Sequence, residues 1–297
     1  MLDNDSKMGP VMAFCPFCMR LGLMMREAGL EYDTYLIDSR DKPSWFVDNW
    51  AEATTPALLG TPGGVSNTKW SGGFDTTVAC LKEQSPQFVE WLERKPVNEK
   101  HTIEYVGGLG SKFGFTSMSA LIADTSMEAG LGLVKGMCGG AGLTEWPEDE
   151  SPKDRKQRLV KFVQVVLAEL DEVVKSLDGK FVGGDAPCEA DCHLLTFLYF
   201  ANSYVNVGFG ALPQMPCTLA QAGAPNCLPY IQRWIKRESF QYSYKHTNET
   251  SAAAVMALAP MFIGKATDVT DDDEVFAQIM QRARDLDPVY DGIDKAK

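Results

Sequence analysis

The chain has 297 residues, 45% of them hydrophobic, so it can bury the cores of two domains of ordinary size. Its formal net charge of −12 at pH 7 offers no broad positive field, which argues against nucleic acid as a partner. No stretch reaches the roughly 18 to 20 consecutive apolar residues of a transmembrane helix, so no transmembrane segment is predicted.

Helical and extended patterns alternate over the first hundred residues. Apolar residues at helical spacing, followed by Gly29 as a natural stop, predict a first helix over residues 16–28. The patterns that follow predict a strand at 32–37, a short helix at 42–50, a strand at 55–59, a turn at Gly63-Gly64 before a further strand, and a helix at 75–92. This part of the chain is therefore predicted to be a mixed α/β unit.

The polar, proline-marked segment 96–100 predicts a domain boundary, with one domain at 1–97 and a second at 98–297. Beyond it the patterns are helical. The clearest helix is 154–177, where apolar residues form one continuous stripe, and further helices are predicted at 190–204 and 228–237. The second domain is therefore predicted to be all-α.

Two segments of the helical domain depart from this pattern. Residues 106–143 hold ten glycines, which disfavour helix and predict an insert that mediates an interaction or covers the cleft between the domains. From Ala252 onward the chain forms a C-terminal extension, whose acidic run 271–274 is predicted to cap a terminal helix at 275–286. The insert or the extension is also the predicted contact for an assembly partner.

The motif Cys15-Pro16-Phe17-Cys18 stands directly before the first helix, with Cys15 at the N-cap and Pro16 at the first helical position, where its missing N–H costs nothing. Unpaired N–H groups and the positive end of the helix dipole stabilise a thiolate there, and they lower a cysteine pKa to between about 3.5 and 7.5. Cys15 is therefore a predicted nucleophile. Cys18 faces the same helix end and is predicted to resolve a mixed disulfide.

Two other interpretations of the motif remain open, a zinc half-site and a pair of inert core thiols. A structural zinc site needs four ligands, and no second C-x-x-C or H-x3-H pair accompanies this motif, since the only histidines are His101, His193 and His246. Thiol chemistry without a metal is therefore favoured. Eight cysteines with no regular framework indicate a reducing compartment, which is the cytosol, or the plastid stroma if a presequence has been removed.

Thr55-Pro56 fits the position of the cis proline that faces the nucleophile in thioredoxin-like folds. With this pair in place, three stretches carry a family resemblance: the CPFC motif with Arg20-Leu21, residues 36–46, and residues 179–192. The chain resembles the dehydroascorbate reductase and chloride intracellular channel branch of the glutathione transferase superfamily. The resemblance implies a thioredoxin-like N-terminal domain followed by an all-α C-terminal domain.

The resemblance also implies a site. Cys15 would be the catalytic thiol, and glutathione would bind as co-substrate to Phe17, Lys42, Thr55, Pro56 and Asp75. A lysine suits the glycyl carboxylate, backbone beside the proline suits the cysteinyl amide, and an aspartate suits the γ-glutamyl ammonium. The alternative for Lys42 and Asp75 is plain surface solvation.

The predicted function is a glutathione-dependent thiol transferase or dehydroascorbate-reductase-like enzyme. The rival is a non-catalytic protein of the same fold, either a structural subunit or a membrane-associating relative of the chloride intracellular channels. Phe14, Phe74, the insert and the extension favour the rival, whereas the CPFC thiol pair favours the enzyme. His193 is predicted to be a half-buried helix residue, and Phe197 to pack in the core or wall the acceptor cleft.

Overall fold

The structure is a computed structural model that describes residues 15–35, 37, 42–49, 54–59, 70–113, 151–205 and 218–244. The predicted Gly63-Gly64 turn, residues 114–150 of the glycine-rich segment and the predicted C-terminal extension lie outside these residues. The elements in chain order are α1 (Pro16–Glu27), α2 (Ser44–Asn49), β1 (Ala57–Leu59), β2 (Trp70–Gly72), α3 (Phe74–Gln84), α4 (Pro86–Leu92), α5 (Ile103–Phe113), α6 (Pro152–Lys175), α7 (Glu189–Tyr204), α8 (Cys227–Ile235) and α9 (Glu238–Tyr244).

Helix α1 lies at the centre of the molecule and packs against α3, α7 and α9. It begins at Pro16 as predicted and ends where the Ala28 N–H donates to the Met24 carbonyl, after which Gly29 adopts a φ of 74° that favours glycine. Phe17, in the first turn of the helix, is 47% exposed.

The strand predicted at residues 32–37 does not form in the part of that segment the structure describes. Its backbone is tied to helix α9 instead of to a neighbouring strand. The Tyr242 hydroxyl donates to the Tyr32 carbonyl, and the two rings pack edge to face at 5.2 Å. The Tyr32 hydroxyl also lies 3.1 Å from Oγ of Ser243. Side-chain contacts therefore replace the ladder hydrogen bonds that a strand requires.

Strands β1 and β2 pair antiparallel, with Ala57 opposite Gly72 and Leu59 opposite Trp70. The Gly73 N–H then donates to the Pro56 carbonyl at 2.8 Å, which extends the pairing by one step. The sheet therefore holds the segment just before β1 beside the start of α3.

The helix predicted at 75–92 is two helices, α3 and α4, separated at Ser85. Pro86 cannot donate a helical hydrogen bond and disfavours a helical conformation in the residue before it. Ser85 accordingly has φ −128° and ψ 99°, and its Oγ accepts a hydrogen bond from the Phe88 N–H at 3.2 Å. Ser85 is thus the N-cap of α4.

The helical part is built around α7, which contacts α1, α5 and α8. Residues 106–113, predicted to begin an insert, belong to α5, and Val106 and Leu109 are buried in the core. The prediction of an insert is wrong for these residues. Helix α5 packs against α7, and a Cβ added at Gly107 would lie at an ordinary van der Waals distance, 3.8 Å, from Nδ1 of His193, so this contact does not itself require glycine.

Asp191 organises the turn that leads into α7. Its carboxylate accepts hydrogen bonds from three backbone N–H groups and one hydroxyl, which belong to Val182 (2.7 Å), Gly183 (2.9 Å), Cys188 (2.9 Å) and Tyr230 (2.7 Å). The side chain is completely buried. One carboxylate therefore joins residues 182–188, α7 and α8.

Two ion pairs join α1 to the corner between α8 and α9. Arg237 binds Glu27 through two hydrogen bonds of 2.8 and 2.7 Å, and the Ser239 hydroxyl donates to the same carboxylate. Arg26 pairs with Glu238.

Residues 93–102, which include the predicted boundary segment, lie between α4 and α5, and the boundary itself stays a prediction. Among the described helices, none combines the length and apolar composition needed to cross a membrane.

Candidate active site

Cys15 occupies the N-cap of α1 with φ −81° and ψ 116°, and its carbonyl accepts the N–H of Met19 at 3.0 Å. The first turn of a helix leaves backbone N–H donors such as those of Cys18 and Phe17 without carbonyl partners, and both groups lower the pKa of the Cys15 thiol. The side chain is half-buried. The sequence motif therefore places a thiol against unpaired donors, at the positive end of the α1 dipole.

The two thiols of the motif titrate in opposite directions. The Cys18 thiol donates a hydrogen bond to the Cys15 sulfur, which is the largest reason why the pKa of Cys15 falls from 9.0 to about 7. Burial opposes that fall, while the N–H groups and the Thr55 hydroxyl assist it. The pKa of Cys18 lies well above its ordinary value, because its proton is held by Cys15 and its surroundings are dry. Near neutral pH, Cys15 is therefore the thiol that ionises, roughly half of it as thiolate, and Cys18 keeps its proton.

Thr55 faces the thiol from the opposite side. Its Oγ1 lies 3.9 Å from Sγ of Cys15, and the Thr55–Pro56 peptide bond is cis, as the sequence predicted. Pro56 is buried, whereas Thr55 is partly exposed. The start of β1 therefore brings a hydroxyl group and open backbone next to Cys15.

Aromatic rings surround an arginine beside the thiol pair. Phe17 and Phe74 lie 6.3 Å apart, centroid to centroid, and the guanidinium of Arg20 stands 5.7 Å from the first ring and 5.2 Å from the second. Phe197 of α7 completes the group at 5.1 Å. Arg20 is only 6% exposed. Sequence reasoning did not assign it a role, although a charged residue inside the apolar run of α1 was the available signal.

Lys42 and Asp75 stand apart from the thiol group. Lys42 is partly exposed two residues before α2, and Asp75 is exposed in the first turn of α3, next to Phe74. Within the described ranges neither side chain makes a hydrogen bond or ion pair with Cys15, Cys18 or Thr55. The structure thus brings Cys15, Cys18 and Thr55 together, and the glutathione-binding roles of the other residues stay predictions.

No group of three or more metal-ligating side chains occurs in the part of the chain that the structure describes. Six cysteines are free within those same residues, including both of the motif. The arrangement at α1 is one in which a thiolate, a neighbouring thiol and a hydroxyl share a partly exposed surface. Such a group can perform nucleophilic attack on sulfur or on an electrophilic carbon.

Residues 14–94 match the model of the family described as glutathione S-transferase, N-terminal domain. The matched segment contains the CPFC motif, Thr55 and Pro56. This part of the chain is therefore similar to the N-terminal domain of glutathione S-transferases.

Two curated relatives are similar to part of this chain. Glutathione S-transferase DHAR2 of Arabidopsis thaliana is 35% identical over 77 residues, which are 26% of this chain and 33% of that protein. Glutathione S-transferase DHAR3, chloroplastic, from the same plant is 30% identical over 100 residues, or 33% of this chain and 36% of that protein. The aligned parts thus span about a third of the length of these relatives.

A solved structure shows a similarity in fold that extends over most of this chain. TDR1 of Leishmania, described as a unique trimeric glutathione transferase, superposes with a TM-score of 0.58 over 88% of this chain and 48% of its own, at 14% identity. At that identity the likeness shows the fold alone. The predicted fold class is confirmed: the glutathione transferase architecture, with a thioredoxin-like N-terminal domain and an all-α C-terminal domain.

Proposed function

We propose that this protein is a glutathione-dependent thiol transferase with dehydroascorbate-reductase-like activity and that Cys15 is its nucleophile. The observation that carries the proposal is the pKa of Cys15, lowered to about 7 by donors from Cys18, from the helix start and from Thr55. A thiol with a pKa near the ambient pH combines a high thiolate fraction with good nucleophilicity. Relatives named DHAR support the acceptor class.

The proposed reaction with a disulfide begins when the Cys15 thiolate attacks the glutathione sulfur of a mixed disulfide. An S–S bond forms between Cys15 and glutathione as the substrate S–S bond breaks, and the substrate thiolate leaves and takes a proton from water. A second glutathione thiolate then attacks the glutathione sulfur, which releases glutathione disulfide and restores the Cys15 thiolate. Alternatively the Cys18 thiolate attacks the Cys15 sulfur, the Cys15–glutathione bond breaks, and glutathione leaves as a thiolate. Two further glutathione molecules then reduce the Cys15–Cys18 disulfide and leave as glutathione disulfide.

With dehydroascorbate, the Cys15 thiolate adds to an electrophilic carbonyl carbon. A glutathione thiolate then attacks the Cys15 sulfur, the C–S electron pair passes to the acceptor, and protonation releases ascorbate. The Cys15–glutathione disulfide is resolved as before. Two glutathione molecules become one disulfide while the acceptor gains two electrons and two protons, so the cycle needs no metal and no further cofactor.

The match of residues 14–94 to the glutathione S-transferase N-terminal domain is our basis for carrying over the glutathione-binding roles. Backbone at Thr55 and Pro56 is proposed to pair with the cysteinyl amide, Lys42 with the glycyl carboxylate and Asp75 with the γ-glutamyl ammonium. Phe17 is proposed to cover the thiol with its exposed ring. This chemistry requires a reducing compartment, for which we propose the cytosol, with the plastid stroma as the alternative.

The test is a side-by-side assay of glutathione-dependent reduction of dehydroascorbate and of the mixed disulfide between glutathione and 2-mercaptoethanol. We expect turnover of both substrates and complete loss in Cys15→Ser. Cys80→Ser is the matched control, because Cys80 is a partly buried free thiol on α3 outside the site, and it should keep full activity. Turnover of the mixed disulfide alone would restrict the function to thiol transfer. Full activity in Cys15→Ser, or none in the wild type, would overturn the proposal.

A further inference from the structure

Arg20 carries a buried charge for which the described residues offer no counter-ion in contact. The residue is 94% buried, its Nε atom has no hydrogen-bond acceptor, and it forms no ion pair in the described parts of the chain. Its guanidinium is surrounded by the rings of Phe17, Phe74 and Phe197, which come from α1, α3 and α7. Ring faces attract a cation but supply no hydrogen-bond acceptor for its five N–H groups.

The charged groups nearest to Arg20 do not neutralise it by contact. Asp75 and Glu189 are the carboxylates whose charges act on it, and neither lies within ion-pair distance. Glu189 has His193 as its closer neighbour, with 4.0 Å between Oε1 and Nε2. His193 is uncharged at neutral pH, because burial first and the charge of Arg20 second lower its pKa to about 3. A buried arginine in this state is unusual, since buried charges are normally paired.

The aromatic group around Arg20 borders the thiol site. Phe17 lies two residues after Cys15 in the first turn of α1 and is 47% exposed, and Phe74 is partly exposed at the first position of α3. Phe197, in contrast, is buried and belongs to the helical domain. The two exposed rings, Phe17 and Phe74, therefore lie on the side of Cys15, and the buried ring, Phe197, lies on the side of α7.

We propose that Arg20 binds the anionic group of the disulfide acceptor, a small organic anion whose carboxylate meets the guanidinium and whose apolar body lies against Phe17 and Phe74. Planar guanidinium groups recognise carboxylates through two parallel hydrogen bonds, which would satisfy the donors that the chain leaves unpaired. That the bound anion is an acceptor substrate rests on the proposed function. That Arg20 binds an anion does not rest on it, so anion binding and acceptor turnover are tested separately.

The first test measures binding without catalysis, by calorimetry with 3-phenylpropionate and its neutral analogue 3-phenylpropanamide. We expect the anion to bind the wild type at least about ten-fold more tightly, the value of one charged hydrogen bond. Arg20→Met keeps an unbranched side chain among the rings and should lose the preference, while Arg20→Lys should keep part of it. Arg26→Met is the matched control, since Arg26 is on the same helix and pairs with Glu238. Equal binding of both probes to the wild type, or a preference that survives in Arg20→Met, would overturn the proposal.

The second test compares two disulfides with glutathione as reductant, 3,3′-dithiodipropionate and bis(2-hydroxyethyl) disulfide. In Arg20→Met the KM for the dicarboxylate should rise about ten-fold, while its kcat and the KM for the neutral disulfide stay within two-fold. A similar rise in KM for both disulfides would mean that Arg20 only supports the structure, which contradicts the proposal. If neither disulfide is turned over, the proposed function fails, and calorimetry alone decides the anion site.

Discussion

The Thr55 hydroxyl lies 3.9 Å from the Cys15 sulfur, although 40 positions separate the two residues in the chain. Pairing of β1 with β2, extended by the hydrogen bond from Gly73 to Pro56, holds Thr55 in this place. The acidity of the thiol therefore depends on the sheet as well as on the start of α1. This relationship can be tested without any assumption about substrate.

Replacing Thr55 by Val should raise the pKa of Cys15, because the variant lacks the hydroxyl that stabilises the thiolate. A distance of 3.9 Å is long, so we expect a rise of less than about one unit. Thr55→Ser keeps the hydroxyl and should leave the pKa near 7. The rate of alkylation of Cys15 by iodoacetamide, measured from pH 5 to 10, gives the pKa of each variant. An equal shift in both variants would mean that packing and not the hydroxyl is responsible.

Local signals in the sequence predicted the centre of the site. A Cys-Pro pair before an apolar helix determines the N-cap and the first helical position, so the placement of Cys15 depends on a few neighbouring residues only. The pair Thr55-Pro56 was informative for the same reason. Ser85-Pro86 carried an equally local start signal, but apolar residues at helical spacing continue across it and favoured one long helix.

Other features of the fold and the site depend on contacts between elements that are distant in the chain. The spacing of apolar residues within one element does not predict such contacts. Arg20 owes its burial to rings from α1, α3 and α7, and Tyr32 is held by α9 instead of by a strand. Glycines at 107 and 108 disfavour helix, yet burial of Val106 and Leu109 and packing of α5 against α7 stabilise the helix around them. In each case tertiary packing overrides local propensity.

Arg237→Met should destabilise the protein by about 3 kcal/mol, because it leaves the Glu27 carboxylate buried without its cation. The Glu27 side chain is only 4% exposed, and Arg237 supplies two of its hydrogen bonds. Lys175→Met is the control, since Lys175 and its partner Glu172 are both exposed, and its unfolding free energy should not change measurably. Urea denaturation followed by circular dichroism measures both variants. Equal stability of Arg237→Met and the wild type would show that the interdomain pair contributes nothing.

Asp191→Asn should destabilise the helical domain by about 3 kcal/mol or more, because an amide presents one acceptor oxygen and one donor group where the carboxylate accepts four hydrogen bonds. The exposed Asp185 lies in the same turn, so Asp185→Asn is the matched control. We expect the control to unfold at the urea concentration of the wild type. A wild-type midpoint for Asp191→Asn would contradict the role assigned to this carboxylate.

The unequal thiols give the sharpest prediction, because the largest cause of the low pKa of Cys15 is the hydrogen bond from Cys18. Cys18→Ala removes that donor, so the pKa of Cys15 should rise from about 7 toward 9, whereas Cys18→Ser keeps a donor and should stay closer to the wild type. At pH 6.5 the thiolate fraction, and with it the alkylation rate, should fall about ten-fold or more in Cys18→Ala.

Above pH 10 the order should reverse, because a thiolate of higher pKa is intrinsically the better nucleophile once both variants are fully ionised. Iodoacetamide labelling, followed by mass spectrometry, measures the alkylation rate in both pH ranges. The Cys15→Ser variant shows which signal belongs to Cys15. Monothiol turnover with glutathione should persist in Cys18→Ser, since a second glutathione resolves the mixed disulfide. A pKa for Cys15 that is the same in Cys18→Ala and the wild type would mean that the helix start alone lowers it and that Cys18 serves only as a resolving thiol.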